Sequence, residues 1–310
     1  MSKWGQMNGL LIGSLPGKVI SVVTLFMLWL PSYIWADNLF KIIPSSTDQV
    51  LFVESARLLT IDDINTAGAN INYRTEDGKT ALMFVAEFNE NPNIIEALLS
   101  AGANVNDADE RGWTALMGAA KSNENLAVMT ALLTAGANVN DRAEGGATVL
   151  TVAVQWNKNP AVIEALLAAG ANVNDYIRKG WKVLMVATMS NDNPEIIKTL
   201  LAAGANVNDS SDSGGTALMF AAMANKNPAI IEVLVAAGAN INGIDKKGRT
   251  ALMFAADDNS EPAVIHALLN ANSDVNIKDF DGKTAWDYIN KNQDLRQTTA
   301  FFRLNNLRFK

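Results

Sequence analysis

Hydrophobic and polar residues follow a pattern that repeats every 34 positions along the chain. In the copy that begins at Gly78, a short apolar run covers 81–87, and a second run follows Pro92, with its apolar residues at helical spacing on one face. Each copy therefore predicts two helices, with Thr80 as the N-cap of the first. Gly102 is predicted to end the second helix in a left-handed turn, and a polar loop leads to the next copy.

The segment AGANVN at 101–106 marks the same point in each copy. It recurs with little change from Ala67, Ala135, Ala169, Ala203 and Ala237, and it weakens to ANSDVN from Ala271. A fixed period of this length predicts a solenoid in which one helical pair stacks on the next. In the last copy Asn272 replaces the glycine, and asparagine tolerates positive φ better than other side chains.

The chain resembles the ankyrin repeat family over residues 45–310. The resemblance lies in the G-x-T-A-L-M-x-A-A start of each copy, the paired leucines and A-G-A-N-V-N. It implies an all-α ankyrin-repeat solenoid of helix-turn-helix units with projecting β-hairpin-like loops. Two features depart from the family: the unit has one residue more than the usual 33, placed between the two helices, and methionine replaces the usual histidine in T-A-L-M. Tetratricopeptide repeats have a 34-residue period, but their W…LG…Y pattern is missing.

The two ends of the array deviate from the repeat, as is typical of units that cap a solenoid. We predict an ankyrin repeat domain at 45–310 of about seven to eight units, with capping units at 45–77 and 282–310. One internal unit is also irregular, because Lys182 replaces the threonine of the other copies. The first helix of that unit is predicted to lack a side-chain cap.

The first 36 residues have the organisation of a signal peptide. Lys3 and Lys18 precede the apolar run 19–30, Pro31 ends that run, and Ala36 offers a small residue for cleavage. We predict a signal peptide at 1–36, a linker at 37–44, and export of a bacterial-type protein to the periplasm or out of the cell. The alternative is an uncleaved membrane anchor, although a transmembrane helix needs about 20 apolar residues.

Composition narrows the possible functions. The 310 residues include 25 basic and 32 acidic side chains, a net charge of −7, which is opposite to that of a protein that follows nucleic-acid phosphates. The chain has no cysteine, and its single histidine, His266, is predicted to lie on the outer face of a helix. The adjacent Asp257 and Asp258 point about 100° apart on a helix and cannot share a proton. We expect no nucleic-acid partner, no cofactor, no metal and no enzymatic activity.

We expect a partner protein to bind at the positions where the copies differ, because packing between units dictates the residues that the copies share. The resemblance implies that two sets of variable positions line the concave face, one before the cap threonine and one at the end of the first helix. Three tryptophans occupy such positions in neighbouring units, and basic residues surround them. The predicted protein-binding residues are Phe88, Arg111, Trp113, Lys121, Trp156, Arg178, Lys179, Trp181 and Met189.

The other interpretation is that these tryptophans only pack against neighbouring loops. If they do form a binding surface, a basic, aromatic patch on an acidic protein suggests a partner with an acidic, partly apolar protrusion. We interpret the chain as an exported, monomeric, non-catalytic module that scaffolds or inhibits an envelope or secreted protein. The alternatives are a secreted effector that binds a host protein and an accessory factor that stabilises a periplasmic enzyme.

Overall fold

A computed structural model describes residues 60–61 and 71–309. The predicted signal peptide, the linker and most of the first capping unit lie outside the described residues. Within 71–309 the chain forms fourteen α-helices. They are α1 (Ala81–Phe88), α2 (Pro92–Ser100), α3 (Ala115–Ser122), α4 (Leu126–Thr134), α5 (Val149–Trp156), α6 (Pro160–Ala168), α7 (Val183–Ser190), α8 (Pro194–Ala202), α9 (Ala217–Ala224), α10 (Pro228–Ala236), α11 (Ala251–Asp258), α12 (Pro262–Asn270), α13 (Ala285–Ile289) and α14 (Thr299–Leu307).

The helices form two layers. Each odd-numbered helix packs against the next odd-numbered helix, and the even-numbered helices do the same. The described residues contain no strand, and four loops are closed by isolated bridges: Ala108 to Thr114, Arg142 to Thr148, Tyr176 to Lys182, and Ser210 to Thr216. The all-α solenoid with hairpin-like loops that the sequence predicts is therefore confirmed.

Most helix ends lie where the sequence predicts them. The hydroxyl of Thr114 accepts a hydrogen bond from the Met117 backbone N–H at 3.3 Å, and the threonines of three later units cap their helices in the same way. The second helix of a unit ends just before a residue with positive φ, such as Gly102 at φ 98° after α2 and Asn272 at φ 62° after α12. Thr80 and Thr284 are exceptions, because they occupy N-cap positions without a side-chain cap bond, and the buried hydroxyl oxygen of Thr80 has no partner among the described residues.

From α1 to α11, each odd-numbered helix buries its first six of eight residues. All six residues from Ala81 to Ala86 in α1 are buried, whereas α2 buries one face through Ile94, Ile95 and Leu98. The methionines that replace the family's histidine belong to this core; Met117, for example, is fully buried. A short helix has little stability of its own, so burial between neighbouring units is what maintains these eight-residue segments.

A column of buried asparagines links successive units, and the sequence analysis did not identify it. An asparagine follows each odd-numbered helix from α1 to α11, in the segment where the extra residue was predicted. The side-chain amide of Asn191 donates to the carbonyl oxygens of Val154 (3.0 Å) and Asn157 (2.8 Å) in the preceding unit, and its oxygen accepts the Asn193 N–H (3.1 Å). The other members of the column are Asn89, Asn123, Asn157, Asn225 and Asn259.

The first prediction tests this column. Replacing Asn191 with Ala removes the side-chain partner of two buried carbonyl groups and one partly buried N–H group, which should lower the free energy of unfolding by about 2 kcal/mol. Asn208 is a matched control, because its amide also links two units through Gly238 O and the Asn240 N–H, but it is exposed to water. We expect Asn208→Ala to cost less than about 1 kcal/mol in urea unfolding followed by circular dichroism. Equal losses in both variants would contradict a special role for the buried column.

The second prediction concerns the cap of α7. Lys182 lies at the N-cap position with an extended backbone and makes no side-chain cap bond, as the sequence predicts. Its backbone N–H instead faces the Met185 sulfur at 3.4 Å. Lys182→Thr should stabilise the protein by about 1 kcal/mol, because the hydroxyl can accept a hydrogen bond from the first turn. Lys182→Ala removes the same lysine without adding a cap, so a urea midpoint that rises equally in both variants would reject the capping explanation.

Candidate protein-binding site

Among the predicted contacts, Trp113 is the tryptophan that lines a cavity. Asp109 closes the loop around it, because one carboxylate oxygen accepts the backbone N–H groups of Arg111 (2.9 Å) and Trp113 (2.8 Å). The indole is half-buried and packs against the hydrophobic core, so its position is fixed by the fold. One side of the ring remains available to a ligand in the adjoining cavity.

Two open cavities meet at Trp113. The first has a volume of about 440 Å³, and Phe84, Phe88, Arg111, Trp113 and Lys121 are among the residues that line it. We call this cavity the Trp113 groove. The second, of about 510 Å³, is lined by Arg111, Trp113 and Arg178 together with loop residues of the next two units. The structure therefore brings together five of the nine predicted contacts, namely Phe88, Arg111, Trp113, Lys121 and Arg178.

Most charges around the two cavities are already paired. Lys121 lies 2.7 Å from the carboxylate of Glu87, and Arg178 lies 3.6 Å from that of Glu144. Arg111 is different, because its guanidinium makes no ion pair or side-chain hydrogen bond with any residue in the described part of the chain. The cation that remains available beside the apolar wall of the Trp113 groove is therefore Arg111.

Asp77, on the rim of the same groove, is also neutralised within the protein. Burial raises the pKa of this carboxyl group, but hydrogen bonds from Thr75 and Lys79 outweigh burial, and the pKa lies below its ordinary value. Lys79 approaches the carboxylate to 2.9 Å. This pair therefore adds little net charge to the groove.

The other predicted contacts lie outside both cavities. Trp156 ends α5 and is 59% exposed, and Met189 is half-buried near the end of α7. Trp181 is half-buried and stacks on Phe220, with the ring centroids 4.3 Å apart, which agrees with packing between neighbouring loops. Lys179 is exposed at a loop tip with φ 64°. Neither cavity that Trp113 lines includes either of the other two indoles.

The repeat matches a known protein-family profile. The profile described as "Ankyrin repeats (3 copies)" matches four overlapping segments, 53–143, 82–177, 119–211 and 184–279. The chain belongs to the ankyrin repeat family. Among solved structures it is similar to the human ASB11 ankyrin repeat domain, with a TM-score of 0.64 and 24% identity over 74% of this chain and 97% of that one. This likeness shows the fold alone. No curated protein matches the chain.

Ankyrin repeats indicate a protein–protein interaction module, and the fold is typically non-catalytic. Within 60–61 and 71–309, no cluster of three or more histidine, cysteine, aspartate or glutamate residues is arranged to hold a metal ion. None of the helices described there has both the length and the apolar character needed to cross a bilayer. The residues around Trp113 provide an apolar wall, the guanidinium of Arg111 and the carboxylate of Glu110.

The single histidine contacts the last helix. His266 Nε2 lies 2.9 Å from the Thr299 hydroxyl, and its Nδ1 lies 3.3 Å from Arg303 Nη1. Because arginine can only donate, Nδ1 accepts the hydrogen bond and the ring is neutral. His266, which the sequence predicts to point outwards, is therefore only partly exposed, and its side chain connects α12 to α14.

Asp257 and Asp258, the adjacent carboxylates of α11, are both exposed. Partial burial together with the charge of Asp257 raises the pKa of Asp258.

The third prediction follows from the pKa of His266. Burial, and then the charge of Arg303, lower this pKa from its ordinary value of 6.5. The unfolded chain therefore binds the proton more readily, and the contribution of neutral His266 to stability is present above pH 6.5 and is lost as the pH falls through the lowered pKa. In His266→Gln, the fall in melting temperature between about pH 7.5 and about pH 5.5 should be smaller than in the wild type. An identical fall in melting temperature in both proteins would contradict a lowered pKa of His266 in the folded state.

Proposed function

We propose that this protein is an exported, non-catalytic ankyrin module that uses the Trp113 groove to bind an envelope or secreted protein as a scaffold or an inhibitor of the immunity type. Export is supported by the order of charge, apolar run and small residue in 1–36. Binding by this groove is supported by one observation: the free guanidinium of Arg111 lies beside a pre-formed aromatic cavity. Trp and Arg are the residues that most often dominate the energy of protein interfaces.

The groove indicates the chemistry of its partner. An apolar side chain of the partner fits between Phe84, Phe88 and Trp113, and a neighbouring carboxylate pairs with Arg111. The charge of the whole protein opposes an acidic partner at long range, so recognition depends on this local arrangement. A secreted effector that binds a host protein and an accessory factor for a periplasmic enzyme are the alternatives, and both use the same groove.

The fourth prediction is tested by affinity capture with the full chain. Trp113→Ala and Arg111→Ala should each weaken capture of the specific partner by about fivefold or more, because each removes an interface anchor worth at least about 1 kcal/mol. Phe302→Ala is the control, because Phe302 is an exposed aromatic residue on α14. Trp156→Ala tests whether the surface extends to the end of α5.

Thermal unfolding of each variant separates lost binding from lost folding. If wild type and the Trp113→Ala variant recover the same partners at the same strength, the groove is not the binding surface. Cell fractionation together with N-terminal sequencing tests export and cleavage after Ala36. Recovery of the uncleaved chain in the membrane would instead favour an anchored protein.

A further inference from the structure

A second surface lies on two neighbouring loops at the other end of the array. It consists of Ile244, Lys246, Lys247, Lys278 and Phe280, all of which are exposed, and we call it the lysine–phenylalanine patch. Phe280 is 73% exposed and Ile244 is 50% exposed, which is unusual for large apolar side chains. These residues are far along the sequence from the Trp113 groove and share none of its residues.

The two loops are held in fixed positions. In the first loop, one oxygen of Asp245 accepts the backbone N–H groups of Lys247 and Arg249, both at 2.8 Å. Asp279 closes the second loop in the same way. The Phe280 N–H donates to the Lys247 carbonyl oxygen at 3.0 Å, so the loops lie side by side. The 34-residue register places Lys246 beside Phe280 and Ile244 beside Lys278.

The Phe280 ring lies across the backbone of the preceding loop. A Cβ atom added to Gly248 would come within 2.8 Å of Phe280 Cδ1, so the ring packs directly on this glycine. One edge of the ring is therefore supported, while most of its surface faces solvent. The fold presents an apolar side chain at a loop tip in a defined position, which is a costly arrangement in water.

The acids of these loops are occupied, whereas the lysines are free. Asp245 pairs with Arg249 at 3.1 Å, and Asp281 pairs with Lys283 at 3.0 Å. The other oxygen of Asp279 accepts the Tyr288 hydroxyl at 2.5 Å. Lys246, Lys247 and Lys278 form no ion pair within the described part of the chain. Two exposed acids are neighbours of the patch: Asp281, which follows Phe280 and pairs with Lys283, and Asp212, which lies one register position before Lys246. An acidic protein thus carries a local positive patch around two apolar side chains.

We propose that the lysine–phenylalanine patch binds the surface of an anionic lipid bilayer. Positive charge beside protruding apolar side chains complements both the anionic headgroups and the adjacent hydrocarbon. The residue types favour lipid over a protein partner, because protein interfaces are enriched in arginine and tryptophan and depleted in lysine. The patch also protrudes from the loops, whereas anchor residues of protein interfaces usually meet at a packed centre.

The expected binding strength can be estimated from the charges. Each lysine near an anionic bilayer raises the partition coefficient by about fivefold, so three lysines together give about a hundredfold preference over a neutral bilayer. Phe280 adds a contribution that does not depend on salt. The interaction should therefore weaken strongly, but not vanish, as the ionic strength rises.

The experiment is sedimentation of the full chain with vesicles of phosphatidylcholine, with and without about 30 mol% phosphatidylserine. Lys246→Ala/Lys247→Ala should weaken partitioning to the anionic vesicles by about 25-fold and leave partitioning to neutral vesicles unchanged. Phe280→Ser should weaken binding to the anionic vesicles and reduce the part that survives high salt. The apolar run 19–30 is common to all variants, so differences between variants report on the patch.

Matched controls lie elsewhere on the same protein. Lys226 and Lys291 are exposed lysines that, like those of the patch, form no ion pair within the described part of the chain, and Phe302 is an exposed phenylalanine on α14. Lys226→Ala/Lys291→Ala and Phe302→Ser should keep near wild-type partitioning, and circular dichroism checks the folding of every variant. Equal losses in patch and control variants, or no preference for phosphatidylserine in the wild type, would overturn the proposal. Binding to polyglutamate without binding to vesicles would also overturn it and would assign the patch to an acidic polypeptide.

Discussion

The column of buried asparagines is the interaction on which this array depends. From Asn123 onwards, each side chain joins the end of one first-layer helix to the backbone of the preceding unit, as Asn225 does with Thr188 O and Asn191 O, both at 2.8 Å. A buried amide has strict requirements for its partners, because every unmade hydrogen bond carries the full desolvation cost. The column therefore fixes the spacing between units, and the apolar contacts of the short helices follow from that spacing.

This constraint explains where variation is tolerated. From α1 to α11, the first six residues of each first-layer helix are buried, so they differ little between copies. Loop tips and helix ends are outside the packing and carry the side chains that differ, including Arg111 and Phe280. Because each unit of a solenoid contacts only its neighbours, the Trp113 groove and the lysine–phenylalanine patch can serve different partners without affecting each other.

The candidate site was predictable in part. Variation between copies identifies Trp113 and Phe88, and the basic residues around the tryptophans include Arg111; all three line one groove. The same criterion selected Lys121, which Glu87 neutralises, and Trp181, which stacks on Phe220 in the next unit. The pairing of Lys121 and the packing of Trp181 both depend on a side chain of the neighbouring unit. A comparison of equivalent positions in the copies does not reveal which side chains meet there. The lysine–phenylalanine patch was missed because its residues belong to two loops that resemble the others in sequence.

The period, the helix starts and stops, and the family were determined by the sequence alone, because caps, glycines and apolar spacing act locally. The tertiary structure decided which polar residues are buried. Asn191 lies between two helices in a polar segment that, from its sequence, resembles a solvent-exposed loop. Only the stacking of the preceding unit brings carbonyl groups to its side chain. It also decided which charges are free, because several ion pairs, such as Lys121 with Glu87, join residues about one repeat apart across a boundary between units.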